Sequence, residues 1–163
     1  MIPSGSFEVR NMDEPGESDC ATVERMYCAH VARYVIDART LLHVVANDLD
    51  IDSDHQLVAP NLVRSHALAL LLDDVRNGDM TEAEALRCHE RLTELKMRLL
   101  GDRVSRRTAW KIARANGWDT TFDAEYLAVC QLQADALITI DPSLAAKAEG
   151  IVPLAPLEML STS

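Results

Sequence analysis

The sequence predicts an α/β fold with a central, mostly parallel sheet. Three observations carry this. Short apolar or β-branched runs (Arg33 to Asp37, Gln56 to Ala59, Ala136 to Ile140) alternate with longer helical stretches, the pattern of a parallel sheet with helices on its faces. Two of those runs end in an aspartate, Asp37 and Asp141. The length of 163 residues and a hydrophobic fraction of 48% suit one core-forming domain with or without a tail.

The N-terminal stretch differs from the rest. Residues 1 to about 24 hold six acids (Glu8, Asp13, Glu14, Glu17, Asp19, Glu24) against one base, Arg10. Such a segment buries too little apolar surface to offset its ordering entropy. Residues 1–27 are therefore read as a flexible acidic arm and 28–163 as the domain.

Within the domain, Arg33 to Asp37 is a buried strand, and Ala38 to Ala46 a helix. Gln56 to Ala59 is a short strand or an extended lead-in. Pro60 suits the first turn of a helix that runs to about Asn77 and stops at Gly78. Thr81 and Glu84 form a capping box opening a helix through about Leu100, ended by Gly101. A further helix spans Arg103 to Asn116 and stops at Gly117. Thr120 or Thr121 caps the next, through about Ala134. Ala136 to Ile140 is a second buried strand, and Ser143 to Glu149 a short helix. Ile151 to Leu154 is a last short strand, at an edge because of Pro153.

Composition excludes several classes. The net charge of −10, from 16 Lys and Arg against 26 Asp and Glu, argues against a protein that coats nucleic acid by basicity. It leaves room for a nucleic-acid enzyme whose metal supplies local positive charge. Aromatic residues, at 4%, are too few for a base-stacking platform, and Trp110 and Trp118 are expected to pack. No apolar stretch reaches the ~20 residues that cross a bilayer. The N-terminus carries acid where a signal peptide carries base, so a cytoplasmic protein with no membrane partner is expected. Cys20, Cys28, Cys88 and Cys130 make no CxxC pair, which argues against disulfides or a standard zinc site. The run Asp48, Asp50, Asp52, Asp54 lacks the Gly and Glu of a calcium loop; it reads as a solvated loop on the rim of a substrate cleft.

Asp37, Asp123 and Asp141 are the chemistry-bearing acids. Asp37 and Asp141 end strands, and Asp123 lies in the first turn of a helix. Carboxylates converging at strand ends repel one another unless a cation lies between them. Oxygen ligands around an open site favour Mg²⁺ or Mn²⁺, which activate water and clamp a phosphodiester. Each acid also reads as a helix cap or a charge matched to the helix dipole.

The residues around them narrow the choice. Val35-Ile36-Asp37-Ala38 opens the domain and Ala59-Pro60-x-Leu62 begins the second helix. Thr121-Phe122-Asp123-Ala124-Glu125-Tyr126-Leu127-Ala128 leads into Leu137-Ile138-Thr139-Ile140-Asp141. This string resembles the PIN-domain family, in particular the ribonuclease toxins of VapBC-type toxin–antitoxin pairs, over roughly Val31 to Leu157. The resemblance implies a PIN-like three-layer α/β/α fold and a Mg²⁺- or Mn²⁺-dependent endoribonuclease. It implies catalytic and metal-binding roles for Asp37, Asp123 and Asp141, an antitoxin that blocks the cleft, and a homodimer. The family places a Glu where this chain has His66, a poor Mg²⁺ ligand able to bind Mn²⁺. His66 is thus either a fourth ligand with altered metal preference or a packed residue.

Bases concentrate in one stretch: Lys96, Arg98, Arg103, Arg106, Arg107, Lys111 and Arg114. Arg103, Arg107, Lys111 and Arg114 share a helical face, readable as an RNA-backbone patch or as a solvated surface. Thr139 is a substrate-phosphate or carboxylate partner, or a β-branched strand residue. Ser105 reads as a cap or surface residue, and Tyr126 as packing beneath the site. With six acids in the arm and four in one loop, RNA binding is expected to be local and metal-dependent. Two rivals remain open: a degenerate, non-catalytic PIN-like module that binds RNA or protein, and a doubly wound domain whose acids are only caps.

Overall fold

β1 (Ala32–Ile36) is the central strand. A computed structural model describes residues 31–161; the expected arm, Cys20 and Cys28 lie outside them. Val35 and Ile36 point to opposite faces, and both are fully buried, so helices cover the sheet on both sides. The chain continues through α1 (Ala38–Ala46), β2 (His55–Pro60), α2 (Val63–Asn77) and α3 (Glu82–Glu94). It then forms β3 (Arg98–Leu100), α4 (Arg103–Asn116), α5 (Phe122–Gln133), β4 (Ala136–Ile138) and α6 (Pro142–Ala148), with a 3₁₀ turn over Leu157–Leu160.

The strand order is β3-β2-β1-β4 and every pairing is parallel. From β1 the chain steps to β2 and β3 in one direction, then returns past β1 to β4. Right-handed crossovers therefore put α1, α2 and α3 on one face and α4 and α5 on the other. The packing agrees: α1, α2 and α3 contact one another, while α5 lies against β1, β2 and β4 and is covered by α4. The fold is α/β with three layers. Among the described residues no helix is long and apolar enough to cross a membrane.

Four local expectations are corrected. The helix opened by the Thr81 capping box ends at Glu94, not Leu100. Residues Arg98–Leu100 instead pair with β2, and Leu100 C=O accepts from Asn61 N–H at 2.8 Å; sheet pairing overrides helix propensity there. Pro60 closes β2 rather than opening a helix. β4 stops at Ile138 because Ile140 N–H turns to Thr40 Oγ1 (3.1 Å) and Asp141 N–H to Thr139 Oγ1 (3.0 Å). The last expected strand is a single parallel bridge, Leu137 to Leu154.

The acidic loop is a further correction. Since α1 begins at the carboxyl end of β1 and the chain re-enters the sheet at the start of β2, residues 47–54 lie at the amino ends of the strands. Asp48, at φ 50°, pairs there with Arg91 of α3. The loop does not rim the carboxyl-end crevice. At that other end, Gly101 lies against the Asn61 side chain, which would have to shift to admit a Cβ.

Candidate functional site

The connections from β1 and into β4 run in opposite directions. The crevice outside the carboxyl ends of these two strands is where an open α/β sheet holds ligands. Asp37 follows β1 directly, and Asp141 follows β4 after Thr139 and Ile140.

Asp37 is 3% exposed. Its carboxylate accepts from Arg39 N–H (3.2 Å), from Thr40 N–H (3.3 Å) and from the Thr40 hydroxyl. That hydroxyl oxygen in turn accepts from Ile140 N–H. A continuous hydrogen-bonded bridge therefore links the end of β1 to the end of β4 through Thr40. Asp37 is a helix cap as well as a site candidate: three accepted bonds leave roughly one of about four lone-pair directions.

Asp141 caps α6, accepting from Ser143 N–H at 2.9 Å, and Arg39 Nε stands 3.4 Å from its Oδ2. Thr139 Oγ1 accepts from Asp141 N–H, which leaves the Thr139 hydroxyl proton free to donate. Asp123 sits in the first turn of α5, with Lys147 Nζ of α6 at 2.5 Å from its Oδ2. The same ammonium lies over the Trp118 ring, 5.4 Å from its centroid. Asp141 and Asp123 thus each have a cationic partner, while Asp37 is held by N–H and hydroxyl donors.

Tyr126 ties the acids together. It is fully buried on α5, three residues after Asp123. Burial pushes its hydroxyl pKa well above the usual phenol value; the Asp37 charge adds to this, the Ala38 N–H opposes it, and Asp123 and Glu125 raise it further. The hydroxyl therefore keeps its proton. His66 Nδ1 lies 3.1 Å from the hydroxyl oxygen, within hydrogen-bond distance. That contact occupies Nδ1 and leaves Nε2 without a hydrogen-bond partner among the described residues. The structure brings His66 to the site and casts it as a partner of Tyr126.

A cleft of about 490 Å³ opens beside Asp141, lined by Arg39, Leu42, Leu70, Asp74, Ile140 and Pro142. Asp74 is a carboxylate that sequence reasoning missed. It lies on the face of α2 that carries His66 and Leu70, at spacings of four, and that periodicity could have found it. Arg39 and Lys147 were also missed, because their partners, Asp141 and Asp123, are remote in sequence.

The basic residues Arg103, Arg107, Lys111 and Arg114 are exposed along α4, as is Arg106. Burial raises the pKa of Glu125 while Arg106 opposes it, which places Arg106 near the first turn of α5. Two expectations fail here. Ser105 is buried, and the cap of α4 is Asp102, whose carboxylate accepts from Ser105 N–H at 2.7 Å. Trp110 does not pack: it is 59% exposed.

The chain matches no family model and no curated protein. Among solved structures it is similar to the crystal structure of PAE2754 from Pyrobaculum aerophilum. The two share 26% sequence identity at a TM-score of 0.62, over 82% of this chain and 95% of that one. The likeness supports the fold across most of the chain and names no activity.

Three aspartates are the oxygen donors that Mg²⁺ or Mn²⁺ takes. Lys147 and Arg39, drawn onto two of them, mark where positive charge is favourable. As the side chains lie, no three His, Cys, Asp or Glu among the described residues are gathered closely enough to hold an ion. The donor type fits a hard divalent cation, and gathering the donors requires Lys147 and Arg39 to release their carboxylates.

Proposed function

We propose that the protein is a metal-dependent endoribonuclease of the PIN-domain, toxin-like kind. The observation that carries this reading is the position of Asp37 and Asp141 at the β1/β4 crevice, with Asp123 tied by Lys147 to α6, the helix that Asp141 caps. Asp37, Asp123 and Asp141 would hold Mg²⁺ or Mn²⁺. When bound, such an ion supplies Lewis acidity to a phosphodiester and makes water more acidic. The chain's own residues do the rest. Thr40 fixes Asp37 against the β4 end. Thr139 and Arg39 set the orientation of Asp141 and offer donors to a phosphate. Arg103, Arg107 and Lys111 attract the RNA backbone.

The implied partners are RNA, an antitoxin that fills the acidic cleft, and a second copy of the chain. A groove of about 510 Å³ between α2 and α3, with Leu68, Leu72 and Leu86 exposed along it, supports the second copy. The competing reading, a non-catalytic PIN-like module, is favoured by His66 standing where the resemblance expects an acid.

Calorimetric titration with Mn²⁺ separates the two. The ribonuclease reading expects saturable binding below millimolar metal, lost in Asp123→Asn. No binding at millimolar Mn²⁺ favours the module.

A further inference from the structure

The exposed face of α4 presents one aromatic ring in the middle of a row of bases. We propose that this face binds single-stranded RNA without a metal ion, gripping the backbone through its bases and stacking one unpaired base on Trp110. The choice of RNA rests on the ribonuclease reading; the binding itself is measured separately from cleavage. It also departs from the metal-dependent binding that the charge distribution alone suggests.

The segment Arg103–Asn116 carries five bases (Arg103, Arg106, Arg107, Lys111, Arg114) and no acid, within a chain of net charge −10. Its buried residues, Ser105, Ala109, Ile112 and Ala113, form a separate stripe whose nearest member to Trp110, Ala113, is about 60° away on the wheel. At ~100° per residue, Trp110 falls within about 60° of Arg103, Arg106, Arg107 and Arg114. Arg106 falls between the ring and that stripe on the wheel, and Trp110 is exposed. Among the described residues, none of the five bases forms an ion pair, and no cation lies over the Trp110 ring. Trp118, by contrast, is already engaged by Lys147.

This combination selects a ligand. Phosphates spaced along a strand match a row of bases and release counterions on binding. An acidic peptide would satisfy the bases but leave the indole among charges with no face to stack on. An unpaired base offers that face, whereas bases stacked inside a duplex do not. Arg106 also stands near Glu125, two residues from Asp123, so a strand held on α4 lies on the helix that covers the acid-bearing α5.

The test uses the full chain in excess EDTA and a fluorescein-labelled single-stranded RNA, read by anisotropy at two salt concentrations. Binding that weakens as salt rises is expected. Trp110→Ala should lower affinity by about tenfold, and Trp110→Phe should retain most of it. Lys111→Glu should weaken binding and flatten its salt dependence. In Trp118→Phe, where Trp110 is the sole indole, RNA should quench the remaining fluorescence. Because Trp110 and Lys111 are exposed, these variants should fold. Affinity unchanged in Trp110→Ala, duplex RNA bound as tightly as single-stranded, or no RNA binding alongside saturable binding of an acidic peptide would each overturn the proposal. If RNA binds in EDTA but is never cleaved with Mg²⁺ or Mn²⁺, the binding face stands and the ribonuclease reading fails.

Discussion

His66 Nδ1 of α2 and the Tyr126 hydroxyl of α5 form a hydrogen bond of 3.1 Å, joining helices from opposite faces of the sheet next to Asp37. The resemblance places a carboxylate where this imidazole stands, and a carboxylate would accept from the Tyr126 hydroxyl while adding a hard oxygen donor. His66→Glu should therefore keep the Tyr126 bond and raise the ratio of Mg²⁺- to Mn²⁺-supported RNA cleavage by about tenfold. Steady-state cleavage in each metal measures it. An unchanged ratio means that position does not face the metal.

Thr40 is fully buried, and its hydroxyl serves both Asp37 and Ile140 N–H. Thr40→Val keeps the shape and removes both bonds, so about 2 kcal/mol of stability should be lost. Thr40→Ser should retain most of it. Denaturant midpoints decide, and equal midpoints for Val and Thr would show that the bridge between the two strand ends contributes nothing.

Lys147 competes with any cation for Asp123. Lys147→Met keeps the stem against Trp118 and removes the charge. Mn²⁺ affinity should rise by about threefold to tenfold by calorimetry. Unchanged or weaker binding would remove Asp123 from the ligand set.

The Asp102 cap gives a pH signature. The Ser105 backbone N–H and then its side chain hold this carboxyl below its ordinary value of 3.8. A lowered folded-state pKa contributes stability above the unfolded value, and that contribution is lost as pH falls through the folded one. Asp102→Ala should melt earlier than the parent at neutral pH. The gap should stay level to about pH 5 and narrow below about pH 4. A gap that persists undiminished to about pH 2 contradicts the assignment.

Much of the fold was legible because its signals are local. Ala38 to Ala46 and Arg103 to Asn116 match α1 and α4 residue for residue: a strand-terminal Asp cap marks the first, and Gly117 ends the second. The edge strand β3 was not legible, since three residues acquire strand character only by pairing with β2. At the site, Asp37 and Asp141 were readable as strand-terminal acids. Their partners were not, because the Ile140–Thr40 and Lys147–Asp123 contacts join positions far apart in sequence. Trp110 departs from the expectation of packing because apolar type alone does not dictate burial, and its place on the α4 wheel puts it among the bases.

The most direct measurement is cleavage of single-stranded RNA by the purified chain in Mg²⁺, in Mn²⁺ and in EDTA, beside Asp37→Asn and Asp123→Asn. Asp37 is buried and capping, so its variant loses stability as well as charge; Asp123 is half-buried with Lys147 as its partner, and its variant reports on the chemistry. Cleavage is predicted in either metal, none in EDTA, and at least about a hundredfold less in Asp123→Asn. Cleavage that survives EDTA, or that Asp123→Asn leaves at the parent rate, would contradict the account.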